Sequence, residues 1–168
     1  MQNKRRTFIK KTTLAGVGVS FAGGVNAMTA KSYENIIGAN DRINVAIQGL
    51  GRRYQAFIPA IAAKDNNIRL KYLCDVLPSQ MTKATAKVSE KIDYKIALEA
   101  DIRKILDDKD IDSIFMATPD HWHTPGAIMA MKSGKHVYLE KPCSHNPREN
   151  ELVVDAQKKY DKVVQMGN

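Results

Sequence analysis

From residue 43 onward, short apolar runs alternate with stretches whose apolar residues recur at helical spacing, and this pattern leaves few folds open. Residues 43–47 read as a short buried strand. Tyr54, Phe57, Ile58 and Ile61 follow at helical spacing, with Pro59 among them, so that helix is expected to kink or restart. A second strand is predicted at 68–74, a polar-faced helix at 78–90 and a short third strand near Tyr94. Leu98, Ile102, Ile105 and Leu106 mark a further helix, and 111–117 a fourth strand. Thr124-Pro125 reads as a helix start, with a hydroxyl cap and proline in the first turn, and Gly134 as its stop. Strands at 136–139 and 162–166 flank a last helix that opens at Asn146-Pro147 and runs to about Tyr160. Such alternation predicts an α/β fold with a doubly wound parallel sheet, covered by helices on both faces. Ligands of such sheets bind at the carboxyl ends of the strands.

The residues with chemistry to offer fall at those ends. Gly49-Leu50-Gly51-Arg52-Arg53-Tyr54 follows the first strand. The first glycine permits a tight turn, and the second lets the backbone approach a pyrophosphate at a helix N-terminus. Tyr54 stands where a third glycine would complete the fingerprint. A strand-to-helix turn that binds nothing is the alternative, and Arg52 and Arg53 either contact phosphate or are simply solvated. Asp75 ends the second strand, 24 residues past Gly51. A carboxylate there can accept hydrogen bonds from both adenosine ribose hydroxyls and would repel a 2′-phosphate, which favours NAD over NADP. A helix cap or a loop acid is its other reading.

Thr118-Pro119-Asp120-His121-Trp122-His123 begins where the fourth strand ends. Its histidines at i and i+2 lack the acid or cysteine pattern that would complete a metal site, so no metal is expected. His123 is a candidate for bonding cofactor or substrate, and Trp122 is expected to pack under the loop. Glu140-Lys141-Pro142 follows the fifth strand. A lysine aimed into a cleft can hold a substrate hydroxyl and stabilise the alkoxide that develops as hydride leaves. Without such a cleft Lys141 would be an ordinary surface lysine.

Taken together, Gly49-Leu50-Gly51, Cys74-Asp75-Val76, Ala117-Thr118-Pro119 through His123, and Glu140-Lys141-Pro142 resemble the Gfo/Idh/MocA oxidoreductases, the glucose–fructose oxidoreductase and inositol dehydrogenase type. The resemblance covers about residues 42–168. It implies a Rossmann domain with Lys141 as a catalytic residue and cofactor contacts from the loops that hold Thr118, Pro119, His123 and Glu140. It also implies a second α+β domain beyond this chain, supplying most substrate contacts, a proton-exchanging residue and a homo-oligomer interface. The expected activity is hydride transfer between NAD and a sugar, polyol or derivative, and residues 28–168 alone should bind dinucleotide but oxidise little. Two rival readings stand beside it: a glycosidase that uses held NAD for transient oxidation, and a non-catalytic nucleotide-binding module.

The first 27 residues read as an address. Lys4-Arg5-Arg6-Thr7-Phe8-Ile9-Lys10 resembles a twin-arginine export signal, 12–25 form a Gly- and Ala-rich apolar stretch, and Val25-Asn26-Ala27 offers a cleavage site, with a linker at 28–42. The stretch is short for a bilayer span, so stable membrane insertion is not expected. Export through the twin-arginine machinery to the periplasm or beyond would move a protein already folded around its dinucleotide. The segment also explains the charge. Of 26 Lys and Arg in the net +8 chain, five lie there with no acid, and the remaining 21 against 18 acids leave +3. That is too little, and too scattered, for nucleic-acid binding. Cys74 and Cys143 are expected to be free thiols.

Overall fold

The computed structural model describes residues 42–167. The predicted export segment, its cleavage point and nearly all of the linker lie outside the described residues. Six strands form one sheet: β1 (Ile43–Gln48), β2 (Ile68–Cys74), β3 (Ala97–Glu99), β4 (Ser113–Met116), β5 (His136–Leu139) and β6 (Val164–Met166). All neighbours pair in parallel, in the order β3-β2-β1-β4-β5-β6. The helices are α1 (Ile58–Ala62), α2 (Pro78–Val88), α3 (Ile102–Asp107), α4 (His123–Lys132) and α5 (Pro147–Tyr160).

A strand at the centre of such a sheet is apolar on both faces, and β1 shows why. Val45, Ala46 and Ile47 are all fully buried, yet they serve two separate cores. Val45 and Ile47 pack with Leu70 and Leu73 of β2, the segment from Tyr54 to Ile61, and Ala84 and Val88 of α2. Ala46 points the other way, into a cluster with Ile114, Met116, Val137 and Leu139 that α3, α4 and α5 cover. The period of two along the strand thus sorts side chains between two helical layers. Each fully buried aliphatic side chain in these clusters contributes roughly 1.5–3 kcal/mol.

Three predicted elements differ in detail. The helix expected directly after Gly51 is instead a 3₁₀ turn, Arg53–Ala56, followed by α1 with Pro59 in its first turn. Tyr54 causes this: it is buried in the core with Phe57 and Ile58, and its bulk occupies the space that a third glycine would leave for close helix–sheet packing. The third strand lies at Ala97–Glu99 rather than at Tyr94, whose hydroxyl accepts the Leu70 N–H of β2 at 3.0 Å, while Leu98 is half-exposed within the strand. Finally, α4 starts one residue early. A 3₁₀ turn, Asp120–Trp122, runs directly into it, so Thr124 is already helical, and its buried hydroxyl finds no hydrogen-bond partner among the described residues instead of capping. Asn146 does cap α5, its side-chain oxygen accepting the Glu149 N–H at 3.1 Å, and Gly134 ends α4 with φ +81.

Candidate functional site

Strand order reverses between β1 and β4, so the connections leave these two neighbours on opposite faces and open a crevice at their carboxyl ends. A cleft of ≈ 790 Å³ lies there. Gln48 and Gly49 at the end of β1, Cys74 and Asp75 at the end of β2, and Thr118 and Pro119 after β4 line it. Val76, Ala100 to Arg103, His121, Trp122 and Met129 complete the lining.

Gly49 has φ +88, and a Cβ on it would stand 2.6 Å from the Ala117 carbonyl carbon and 2.7 Å from the Thr118 nitrogen. Its N–H donates to the Cys74 carbonyl at 2.9 Å, joining the ends of β1, β2 and β4 at one point. A Cβ at Gly51 would meet no atom within 4 Å. Leu50 contributes only backbone to this turn. Its side chain is buried, and its N–H donates to Asp75 Oδ2 at 2.7 Å. That amide is turned toward the protein's own carboxylate rather than out to a phosphate. Asp75 also accepts the Leu77 N–H on Oδ1 at 2.9 Å. It therefore braces the turn from below while lining the cleft, and each oxygen keeps lone-pair capacity for a hydroxyl donor.

The arginines divide. Arg52 is exposed and outside the cleft lining. Arg53 pairs with a buried carboxylate: its Nε lies 2.8 Å from Oε1 of Glu140, a residue only 3% exposed.

His121 and His123 part company. His121 is exposed beside Asp120, 3.7 Å away. His123 is 1% exposed, with Nε2 2.9 Å from the Thr118 carbonyl and Nδ1 2.5 Å from the Pro142 carbonyl. Both ring nitrogens are occupied by backbone, so in this structure His123 staples the Thr118 loop to the Lys141 loop and does not face the cleft. Trp122 does not pack under the loop as expected; it is 47% exposed and lines the cleft. Lys141 stands exposed beyond the end of β5, one strand over from Thr118, and its peptide bond to Pro142 is cis. It is not among the cleft-lining residues. Sequence reasoning missed Gln48, a polar residue closing an apolar strand immediately before the glycine turn, which is the signal that could have found it. It also missed the lip formed by Ala100 to Arg103.

Burial pushes the Cys74 thiol up to about 12, with Asp75 nearby adding to the effect, so this cleft residue is a protonated, inert thiol at neutral pH. Among the described residues no group of three or more His, Cys, Asp or Glu could hold a metal ion, and no helix is long and apolar enough to cross a membrane.

A dinucleotide fits what is present. The open side of Gly51 admits close backbone approach. The buried Gln48 Oε1 and Thr118 Oγ1, both on cleft-lining residues, have no hydrogen-bond partner among the described residues, and polar atoms so placed call for a polar ligand.

A parallel sheet in this order with a glycine turn at its switch point defines a dinucleotide-binding Rossmann domain. Residues 43–168 match the Gfo/Idh/MocA family model, described as an oxidoreductase family with an NAD-binding Rossmann fold, and the chain belongs to that family. It is 30% identical over 180 residues to a glycosyl hydrolase family 109 protein of Saccharopolyspora erythraea, an alignment covering 98% of this chain and 39% of the relative. Among solved structures it resembles the WlbA dehydrogenase of Chromobacterium violaceum, crystallised with NADH and UDP-GlcNAcA, at TM-score 0.67 and 23% identity over 75% of this chain and 35% of that one. It likewise resembles myo-inositol 2-dehydrogenase of Lactobacillus plantarum, at TM-score 0.65 and 24% identity over 75% and 36%. The chain thus spans about 39% of the length of the curated relative it matches at 30% identity.

Proposed function

We propose that this chain is the nucleotide-binding half of an exported NAD-dependent oxidoreductase that moves hydride between nicotinamide and a CH–OH group of a sugar, polyol or derivative. The observation that carries the reading is the convergence, on one edge of one sheet, of the glycine turn, the Asp75 carboxylate and the Lys141 loop stapled by His123. Bound NAD would supply the hydride acceptor. The glycine turn would admit the pyrophosphate, and Asp75 would take the ribose hydroxyls and disfavour a 2′-phosphate, so NADP is the less favoured cofactor. The Lys141 ammonium would hold the reacting hydroxyl and offset the alkoxide charge as hydride leaves. Most substrate contacts, the proton-exchanging group and a homo-oligomer contact are assigned to a second domain of the kind the longer relatives have room for. The paired arginines at positions 5 and 6 support export by the twin-arginine route.

One observation favours a second reading. A relative at 30% identity is named as a glycosyl hydrolase, and a glycosidase can use the same cleft for transient oxidation without net redox change. The two separate in one assay. The full-length protein is given NAD with a panel of sugars, polyols and aryl glycosides, and NADH absorbance and aglycone release are followed together. NADH formation that falls at least 100-fold in Lys141→Ala, with NAD still bound, is the expected result. Aglycone release without accumulating NADH would replace the dehydrogenase with the glycosidase. NAD binding with neither NADH formation nor aglycone release across the panel would point to a non-catalytic nucleotide-binding module.

A further inference from the structure

We infer that Arg53 is a positioning residue for Lys141, acting through Glu140, so that the glycine turn helps to set where the lysine loop lies. What Lys141 does chemically rests on the oxidoreductase reading; the connection itself does not.

The connection is built around one buried carboxylate. Glu140 is 3% exposed, and a carboxylate so enclosed requires a compensating charge. Arg53 provides it from the far side of the sheet's carboxyl edge, two residues past Gly51, with Nε 2.8 Å from Oε1. Oε1 has no hydrogen-bond partner among the described residues, so the contact is an ion pair. The other oxygen, Oε2, accepts the backbone N–H of Lys141 at 3.3 Å. One side chain therefore joins the turn's guanidinium to the main chain of the lysine.

The carboxylate has little room to leave that position. A Cβ on Gly167 would come within 3.3 Å of Oε1 and 2.8 Å of the Tyr138 hydroxyl, so the residue just past β6 closes that side. The segment carrying Arg53 is itself fixed against β4 and β5. Phe57, at the end of the 3₁₀ turn, meets Tyr138 of β5 edge-on at 5.3 Å and Phe115 of β4 at 5.5 Å. The segment thus meets β5 through aromatic packing and the residue just past β5 through an ion pair. On the other side of Lys141, the Pro142 carbonyl is held by His123. Lys141 stands between two tethered neighbours, each tied to a different loop of the cleft.

A phosphate-binding arginine and a positioning arginine behave differently when removed. The full-length protein is prepared as wild type, Arg53→Leu, Arg53→Lys, Glu140→Gln and the double variant Arg53→Leu/Glu140→Gln. NAD affinity is measured by calorimetry, the reactivity of Lys141 by competitive reductive methylation read by mass spectrometry, and turnover where a substrate is in hand. Arg53→Leu is expected to change the Kd for NAD less than about threefold, to change the Lys141 methylation rate at least about fivefold and to lower kcat at least about tenfold, with KM little moved. Arg53→Lys should recover part of each loss, and the double variant should be no worse than the poorer single one, because the two residues act as a unit. A tenfold or greater loss of NAD affinity with Lys141 reactivity unchanged would make Arg53 a phosphate ligand and overturn the inference, as would additive effects in the double variant. If Arg53→Leu fails to fold, the double variant, which leaves no unpaired buried charge, and Glu140→Gln decide the question on the same readouts. If the wild-type protein turns over no sugar or polyol, the oxidoreductase reading fails, while the methylation rates still test the connection.

Discussion

Gly49 and Gly51 stand two positions apart and are glycine for different reasons. At Gly49 the protein itself forbids a side chain, through a left-handed backbone and the main chain of Ala117 and Thr118, just past β4, pressed against it. At Gly51 no protein atom is near, so the reason for glycine lies outside the protein, in what approaches the turn. Gly49→Ala should therefore cost more than about 2 kcal/mol of stability in urea unfolding of the full-length protein, since strain and overlap add. Gly51→Ala should leave stability within about 1 kcal/mol of wild type and instead weaken NAD binding at least about tenfold, read by calorimetry. If Gly51→Ala binds NAD normally, the pyrophosphate does not lie against this turn. The same scale shows where sequence reading stops. Gly49, Gly51 and Asp75 could be singled out from type and spacing, because a turn and a strand end are local. The pairing of Arg53 with Glu140, and the burial of both nitrogens of His123 on carbonyls 118 and 142, join residues 87 and up to 19 positions apart. Nothing in the residue types distinguishes these partners from solvent or ligand.

Among the elements, the strands were the most legible. The second and fifth lie where predicted, because buried apolar runs bounded by polar residues leave little choice of ends. Helix starts were less so, since a hydroxyl or a proline marks a start only if no turn precedes it; the 3₁₀ turn at Asp120–Trp122 displaced Thr124 from the cap. The short helix α3 gives a case where the cap can be tested. Asp101 accepts the Arg103 N–H at 3.0 Å and pairs with its guanidinium, and these bonds hold its carboxyl down at about 2. A carboxylate whose folded pKa is depressed stabilises the fold above its unfolded value of roughly 3.9 and loses that contribution as pH falls toward the folded value. Asp101→Asn should therefore be less stable than wild type at pH 7, and the difference should shrink between about pH 4 and pH 2. Urea unfolding of both proteins across that range measures it. A difference that stays constant with pH would mean that the Asp101 charge does not contribute. Asp101 also lines the cleft, so NAD titration at pH 7 should accompany the unfolding curves.

For the whole molecule, the proposed address and the cofactor site make demands on each other. Dinucleotides are scarce outside the cytoplasm, so an exported protein that uses one must fold around it first and then keep it. The twin-arginine route, which carries folded cargo, is compatible with that order, and the proposal of that route rests on Arg5-Arg6 followed by Phe8-Ile9. Two consequences can be separated. Replacing Arg5 and Arg6 by lysine conserves charge and leaves the domain at 43–167 untouched, so NAD binding by the retained protein should be normal while its appearance in the envelope fraction is abolished. Gly51→Ala keeps the signal and impairs only the cofactor contact. If cofactor loading precedes export, this variant should be exported less than wild type, and what is exported should carry less NAD. Fractionation followed by native mass spectrometry of the envelope protein reads both quantities at once. Normal export of a cofactor-free Gly51→Ala protein would show that folding alone suffices for passage. Failure of the lysine pair to block export would remove the twin-arginine reading, and with it the reason to expect a tightly retained dinucleotide.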